Sequence, residues 1–147
     1  MRRLLIAVIA LATSGFADLA TAEDIALSLV HPKGRVDIPV SALKDVRAYA
    51  TLAVRNTETG EIHEYPEPSV EVCYNKDIKA RICQLTQQIV GEPMALLVDC
   101  EIVLKPVVRE PLCSHACLSI SASDLDEANA LMQRIRHGTN RVCSPSS

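Results

Sequence analysis

Apolar positions change period several times along this chain, and each change marks an element. Ile25 to His31 (IALSLVH) has strand character and runs into the turn-prone Pro32-Lys33-Gly34. Ser41 to Asp45 fits one helical turn. From Val46 to Val54 the pattern alternates, with Val46, Ala48, Ala50, Leu52 and Val54 on one face and Arg47, Tyr49 and Thr51 on the other. That period predicts a half-buried strand. Asn56 to Gly60 (NTETG) reads as a turn. Pro66 and Pro68 bracket a connector ahead of a second short strand, Val70 to Tyr74, which carries Cys73.

From Asp77 to Val90 the period becomes helical, and Ile78, Ile82, Leu85 and Ile89 form a core-facing stripe with Cys83 pointing to its side. Gly91 ends this helix. In GEPMALLVDCEIVLKPVVREPL, Gly91 to Leu112, two apolar segments meet at Asp99-Cys100 with almost no loop, the pattern of a tight β-hairpin. Pro106 is tolerable there only near an edge or a bulge. A loop holding Cys113 to Cys117 then leads to a short strand, Leu118 to Ser121. Ser123 is a good N-cap for a final helix, with Asp124, Asp126 and Glu127 in its first turn. Its apolar face is Leu125, Ala128, Leu131, Met132 and Ile135, its last turn carries Arg134, Arg136 and His137, and Gly138 stops it. These elements predict an α+β domain: a small, mostly antiparallel sheet with two helices packed on one face.

The first residues change the compartment. Arg2 and Arg3, the short apolar run Leu4 to Ala12 and Ala20-Thr21-Ala22 read as a signal peptide over residues 1–22, leaving a single domain over 23–147. That predicts an exported, periplasmic protein, extracellular being the lesser alternative. The early run is too short to span a bilayer, and Pro, Asp or Lys interrupts every later candidate, so a soluble, not membrane-spanning mature chain is expected. The whole chain has 15 basic and 18 acidic side chains. Removing Arg2, Arg3 and Asp18 leaves 13 against 17, a mild net charge of −4 with His neutral. With no Trp and one Phe, and no basic patch, nucleic-acid binding is excluded.

All six cysteines, Cys73, Cys83, Cys100, Cys113, Cys117 and Cys143, lie in the exported part. An even count in an oxidising compartment favours three disulfides, with the pairing left open. Cys113, His115 and Cys117 also offer two sulfurs and an imidazole within five residues, the basis of an alternative reading as a Cu or Zn site. Periplasmic copper-delivery proteins carry C-x-x-x-C in a thioredoxin-like setting followed by proline, whereas Leu118 follows here, and a structural role for both cysteines accounts for them better. No C-x-x-C redox motif is present. Ser114-His115 lacks any nucleophile setting, His31, His63 and His137 are isolated, and helix capping explains Asp124, Asp126 and Glu127 better than a metal cluster does. No enzyme and no cofactor is expected.

The hairpin segment resembles the stretch of the SecD-type translocase P1 head that reads, roughly, G-x-P-h-A-h-x-h-D-G-x-h-h-x-x-P-x-h-x-x-P-h, with h apolar. Gly91, Pro93, Ala95, Asp99, Pro106 and Pro111 stand at the matching places. Leu85-Thr86 with Val90-Gly91 is similar to the family's helix and its exit. Ile120-Ser121 followed by LDEANALMQRIRHG is similar to its I-x-G and E-E-A-x-x-L-A-x-x-L-R-x-G segments, through Glu127, Ala128, Leu131, Ile135, Arg136 and Gly138. The likeness is clearest over 70–138. Two glycine-like places have become cysteine: the corner position, here Cys100, and the loop after the hairpin, here Cys113 to Cys117. This suggests cross-links standing in for backbone compactness, and an intact mass about six hydrogens below the reduced value is the expected sign.

The resemblance implies a periplasmic lobe that contacts unfolded, exported polypeptides or Sec translocase components. The family's proton-carrying membrane helices have no counterpart here, so what it implies for this chain is binding. An exposed edge strand accepts an extended peptide by strand addition, and Val46 to Val54 and Glu101 to Val108 are the candidates. A third alternative is a disulfide-bridged interaction module without the translocase role.

Overall fold

The first element among the described residues is a hairpin in which β1 (Ile25–His31) turns at Pro32-Lys33 into β2 (Gly34–Pro39). A single 3-10 turn, Val40–Ala42, stands where one helical turn was expected slightly later. Two long strands follow, β3 (Leu43–Arg55) and β4 (Ile62–Tyr74), joined by the Asn56 to Glu61 turn. Helix α1 (Lys76–Gln88) leads to the short hairpin β5 (Ala95–Val98) and β6 (Glu101–Leu104). After a loop come β7 (Cys117–Ser121) and helix α2 (Leu125–His137). This computed structural model describes residues 23–141 and 143; the signal-peptide reading of residues 1–22 falls outside the described residues.

The fold is α+β, as the patterning predicts, but with two antiparallel sheets in place of one. Strand order is β2-β1-β5-β6 in the first and β3-β4-β7 in the second. Sequence neighbours pair within each sheet except where β1 meets β5 and β4 meets β7. One core joins all layers. Leu27, Leu29, Val36, Ile38, Leu96 and Val98 from the first sheet meet Val46, Val70, Val72 and Ile120 from the second. Ile78, Ile82 and Leu85 of α1 and Ala128, Leu131 and Ile135 of α2 complete it, the stripes that helical spacing marks out.

Two boundaries differ from the sequence reading. The Pro66-Glu67-Pro68 stretch is no connector, because β4 runs through it. Proline cannot donate to a ladder, and it is accommodated here at a register shift, where Tyr49 faces Ser69 while Thr51 faces Pro66, on a strand whose outer side is open before Pro68, whose carbonyl accepts from the Ala122 N–H at 2.8 Å. At α2 the N-cap is Asp124, not Ser123. The Asp124 carboxylate accepts from the Glu127 N–H at 2.8 Å, and Glu127 reaches back to accept from the Ser123 N–H at 2.6 Å and its hydroxyl at 2.5 Å. Those bonds from Ser123 hold the Glu127 carboxyl below the usual range.

Gly138 ends α2 at φ 67°, and a Cβ there would meet Val40 Cγ2 at 2.6 Å and the Ile25 carbonyl at 3.2 Å. Only glycine fits both the angle and the space. The chain then pairs Thr139 with Ile25, each N–H bonding the other's carbonyl at 2.8 Å, which carries the end of the domain back to its first strand.

Candidate functional site

The alternation of β3 sets which side chains share a face, and the body of the domain covers only part of that face. Val46 is buried and Ala48 packs against the core. Ala50, Leu52 and Val54 continue the same side by the period of two, opposite Tyr65 and His63 through the pairs Leu52↔Tyr65 and Val54↔His63. Nothing in the described residues covers them. Leu52 is 46%, Val54 45% and Tyr65 53% exposed, while Tyr49 at 39% and Ile62 at 57% are exposed on the opposite side. Every residue from Tyr49 to Glu67 is exposed. The far half of β3 and β4 is thus a two-stranded ribbon standing off the body, with its continuation of the core face uncovered.

Its backbone is open as well. β3 is an edge strand, and β7 pairs β4 only over Ser69 to Cys73. At the base, Arg136 of α2 donates Nη2 to the Val46 carbonyl at 2.5 Å, occupying the edge of β3 near the body. Beyond it, among the described residues, no strand lies on the outer side of β3. Unpaired ladder groups beside an apolar face are what an extended chain needs for strand addition.

The second candidate, Glu101 to Val108, is also at an edge, since β6 closes the first sheet. Only Glu101–Leu104 is regular strand; past it Pro106 accepts from the Met94 N–H and Val108 bonds both Gly91 and Glu92. The outer face of this sheet forms an open groove of about 800 Å³, floored by Val30, Ala95 and Leu97 and flanked by Ile102 and Lys105. At one end lies the disulfide from Cys100 to Cys143, whose carbonyl accepts from Arg35; Arg35 also bonds Asp37 at 2.7 Å, and Asp37 accepts from the buried Ser28 hydroxyl at 2.6 Å. At the other, His31 Nδ1 accepts from the Lys33 N–H at 3.0 Å and Nε2 lies 2.7 Å from Glu92. The Lys33 ammonium, 2.8 Å from Glu92, and His31 keep that carboxyl below its ordinary range. The groove's polar groups are therefore largely engaged with one another.

The cysteines pair as Cys73–Cys117, Cys83–Cys113 and Cys100–Cys143. Cys73 and Cys117 face each other across β4 and β7, and Cys83 reaches sideways from α1 to the loop. This corrects the alternative in which Cys113, His115 and Cys117 hold Cu or Zn. Their two sulfurs belong to different disulfides, and a disulfide sulfur is no thiolate ligand. His115 is exposed, with Nδ1 3.4 Å from the Ser114 hydroxyl. Glu71 lies near Cys73 and Cys117, but those two sulfurs are bonded to each other.

Cys100 sits at the hairpin corner with φ 65°, beside Asp99 at φ 51°. Two successive positive φ angles make a two-residue turn of the I′ kind, where non-glycine residues cost about 1 kcal/mol each. The corner is held on two sides. Cys143 bonds Cys100, and Arg134 of α2 donates to Asp99 at 3.1 Å, to Glu101 at 2.9 Å and to the Val98 carbonyl at 3.2 Å. Partial burial lowers the Arg134 pKa, and the bonds to Asp99 and Glu101 more than reverse this.

The α+β fold described here has counterparts among solved structures. No protein-family model and no curated protein matches the chain. Two solved structures do: that of SecDF, described as a membrane component that enhances protein export, and that of SecDF in its super-membrane-facing form. Each overlays 78% of this chain with a TM-score of 0.51 and 21% identity, and the chain spans 48% of the first chain and 14% of the second. The chain has a SecD-like fold. Among its described residues no helix is long and apolar enough to cross a membrane.

The ribbon's β4 side, Ile62, His63 and Tyr65, is what the sequence reading missed. The signal was present, because apolar and aromatic residues flank the NTETG turn on both sides, but the two prolines masked it.

Proposed function

We propose that this protein is an exported, periplasmic, non-enzymatic domain that holds extended polypeptide segments as an accessory to protein export, using the far half of the β3–β4 ribbon. The observation that carries this reading is the uncovered continuation of the core face, Leu52, Val54 and Tyr65, beside an unpaired strand edge. A client chain adding to β3 would satisfy the ladder groups without regard to its sequence and would lay alternate side chains on that face. The likeness to SecDF, a component that enhances protein export, supports the export setting. Three disulfides suit an oxidising compartment.

Photocrosslinking in cells tests the reading. A photoreactive residue at Leu52 or Tyr65 is expected to trap newly exported chains, and one at Ile102, on the other sheet, is not. Adducts from Ile102 alone would move the site to the groove, and none from any position would overturn polypeptide binding.

A further inference from the structure

We infer that the ribbon prefers apolar segments flanked by lysine or arginine; this rests on reading the ribbon as the polypeptide site. The ribbon exposes Glu58 and Glu61 at its turn and Glu64 and Glu67 further down β4, Glu64 opposite Ala53, against the single cation Arg55. These carboxylates have few partners: Glu61 has His63 at 3.7 Å, and no other ion pair joins the four among the described residues. Toward the body Arg47 pairs with Asp45 at 2.5 Å and Arg136 bonds the Val46 carbonyl. The apolar face is therefore set in a ribbon whose exposed charges are mostly of one sign, and a segment lying along it meets the turn carboxylates Glu58 and Glu61 just past its apolar part.

The same charges argue against the other occupants. A second copy adding antiparallel to β3 about Thr51 would set Arg47 opposite Arg55, like charges directly across a ladder, which is destabilising. An anionic membrane surface would be repelled by the glutamates. A chain with apolar and basic residues satisfies both features at once. Exposed pairs are individually weak, so three or four acting together correspond to roughly a tenfold preference, and salt should erase it.

The experiment uses the full exported protein and two dye-labelled peptides with one shared apolar core, flanked by lysines or by glutamates, read by fluorescence anisotropy. At about 0.02 M salt the lysine-flanked peptide should bind roughly tenfold more tightly, and the gap should close near 0.5 M. The triple variant Glu58→Gln, Glu61→Gln, Glu64→Gln should bind both peptides alike, at an affinity within about threefold of the wild type for the glutamate-flanked one. Equal binding of the two peptides by the wild type would overturn the preference and leave polypeptide binding standing. Binding of neither would overturn the function itself. A preference that survives in the triple variant, or a dimer in sedimentation that Leu52→Asp dissolves, would also overturn the inference.

Discussion

The two hairpins of this molecule are held in opposite ways. At the β5–β6 corner, two residues with positive φ are clamped by three Arg134 hydrogen bonds and by the disulfide to Cys143. The far half of the β3–β4 ribbon, whose strands have thirteen residues each, is closed among the described residues by its own turn. There Asn56 accepts from the Glu58 N–H at 2.8 Å and the Thr59 N–H at 3.2 Å, and Gly60 takes φ 75°. All three disulfides lie away from the far half of the ribbon. Cross-links are concentrated where backbone strain and the body of the fold need them, whereas the ribbon leaves apolar surface and ladder groups unmatched. That exposure, in a fold otherwise so fastened, is the feature on which the proposed polypeptide site rests.

Cutting the clamp is the strongest way to break the contrast. Replacing Cys100 and Cys143 together by serine frees a cross-link with a sequence separation of 43. By chain entropy that should lower the unfolding free energy by about 3–4 kcal/mol, read by urea denaturation. Peptide binding at the ribbon should not change while the protein is folded. If it disappears in parallel, the two regions are one cooperative unit and the comparison fails.

The reverse experiment acts on the ribbon. Leu52→Asp with Tyr65→Asp should cut peptide affinity at least tenfold while changing unfolding free energy by no more than about 0.5 kcal/mol, as expected for uncovered positions. Val46→Asp, on the same face but inside the core, should unfold the domain. A large stability loss from the ribbon pair would mean that the face is covered in solution.

A smaller effect dissects the corner. Arg134→Met keeps the stem of the side chain and removes its bonds to Asp99, Glu101 and Val98, with an expected cost of about 1 kcal/mol because these groups are partly exposed. The same change in the Cys100→Ser, Cys143→Ser background should cost more if clamp and disulfide support one strained turn. Additive losses would show that they act separately.

How far the sequence discloses this contrast depends on what each pattern encodes. Period and caps mark β1, whose limits match the reading from Ile25 to His31, and α2, which ends at Gly138 as expected. β2 escaped notice because Val36 and Ile38 are its sole buried apolar side chains, set among Arg35 and Asp37, behind a turn signal. The first half of β4 was hidden by Pro66 and Pro68, whose exclusion from ladders is relaxed at an open edge. The division into two sheets depends on β1 meeting β5 and β4 meeting β7, pairings between distant segments that no local pattern records. Alternation in Val46 to Val54 named the correct face of β3. It could not say how much of that face has something packed on it, and the candidate site lies in that difference.

β4 contains the contrast within one strand, since Tyr65 is exposed while Tyr74 is 1% exposed. The Tyr74 hydroxyl has no hydrogen-bond partner among the described residues, and burial pushes its pKa up to about 12 from 10. An unsatisfied hydroxyl in the core is destabilising, so Tyr74→Phe should raise the unfolding free energy by about 0.5–1 kcal/mol. The sign with pH follows from the raised value. Below pH 10 both states hold the proton and stability is unaffected; between about 10 and 12 the unfolded chain releases it while the fold keeps it, so stability falls as pH rises. Tyr74→Phe should remove that part of the alkaline loss, whereas Tyr65→Phe, at the exposed end of the same strand, should leave it in place. Identical alkaline profiles for wild type and Tyr74→Phe would show that water reaches the Tyr74 hydroxyl and that the buried end of β4 is less closed than its packing implies.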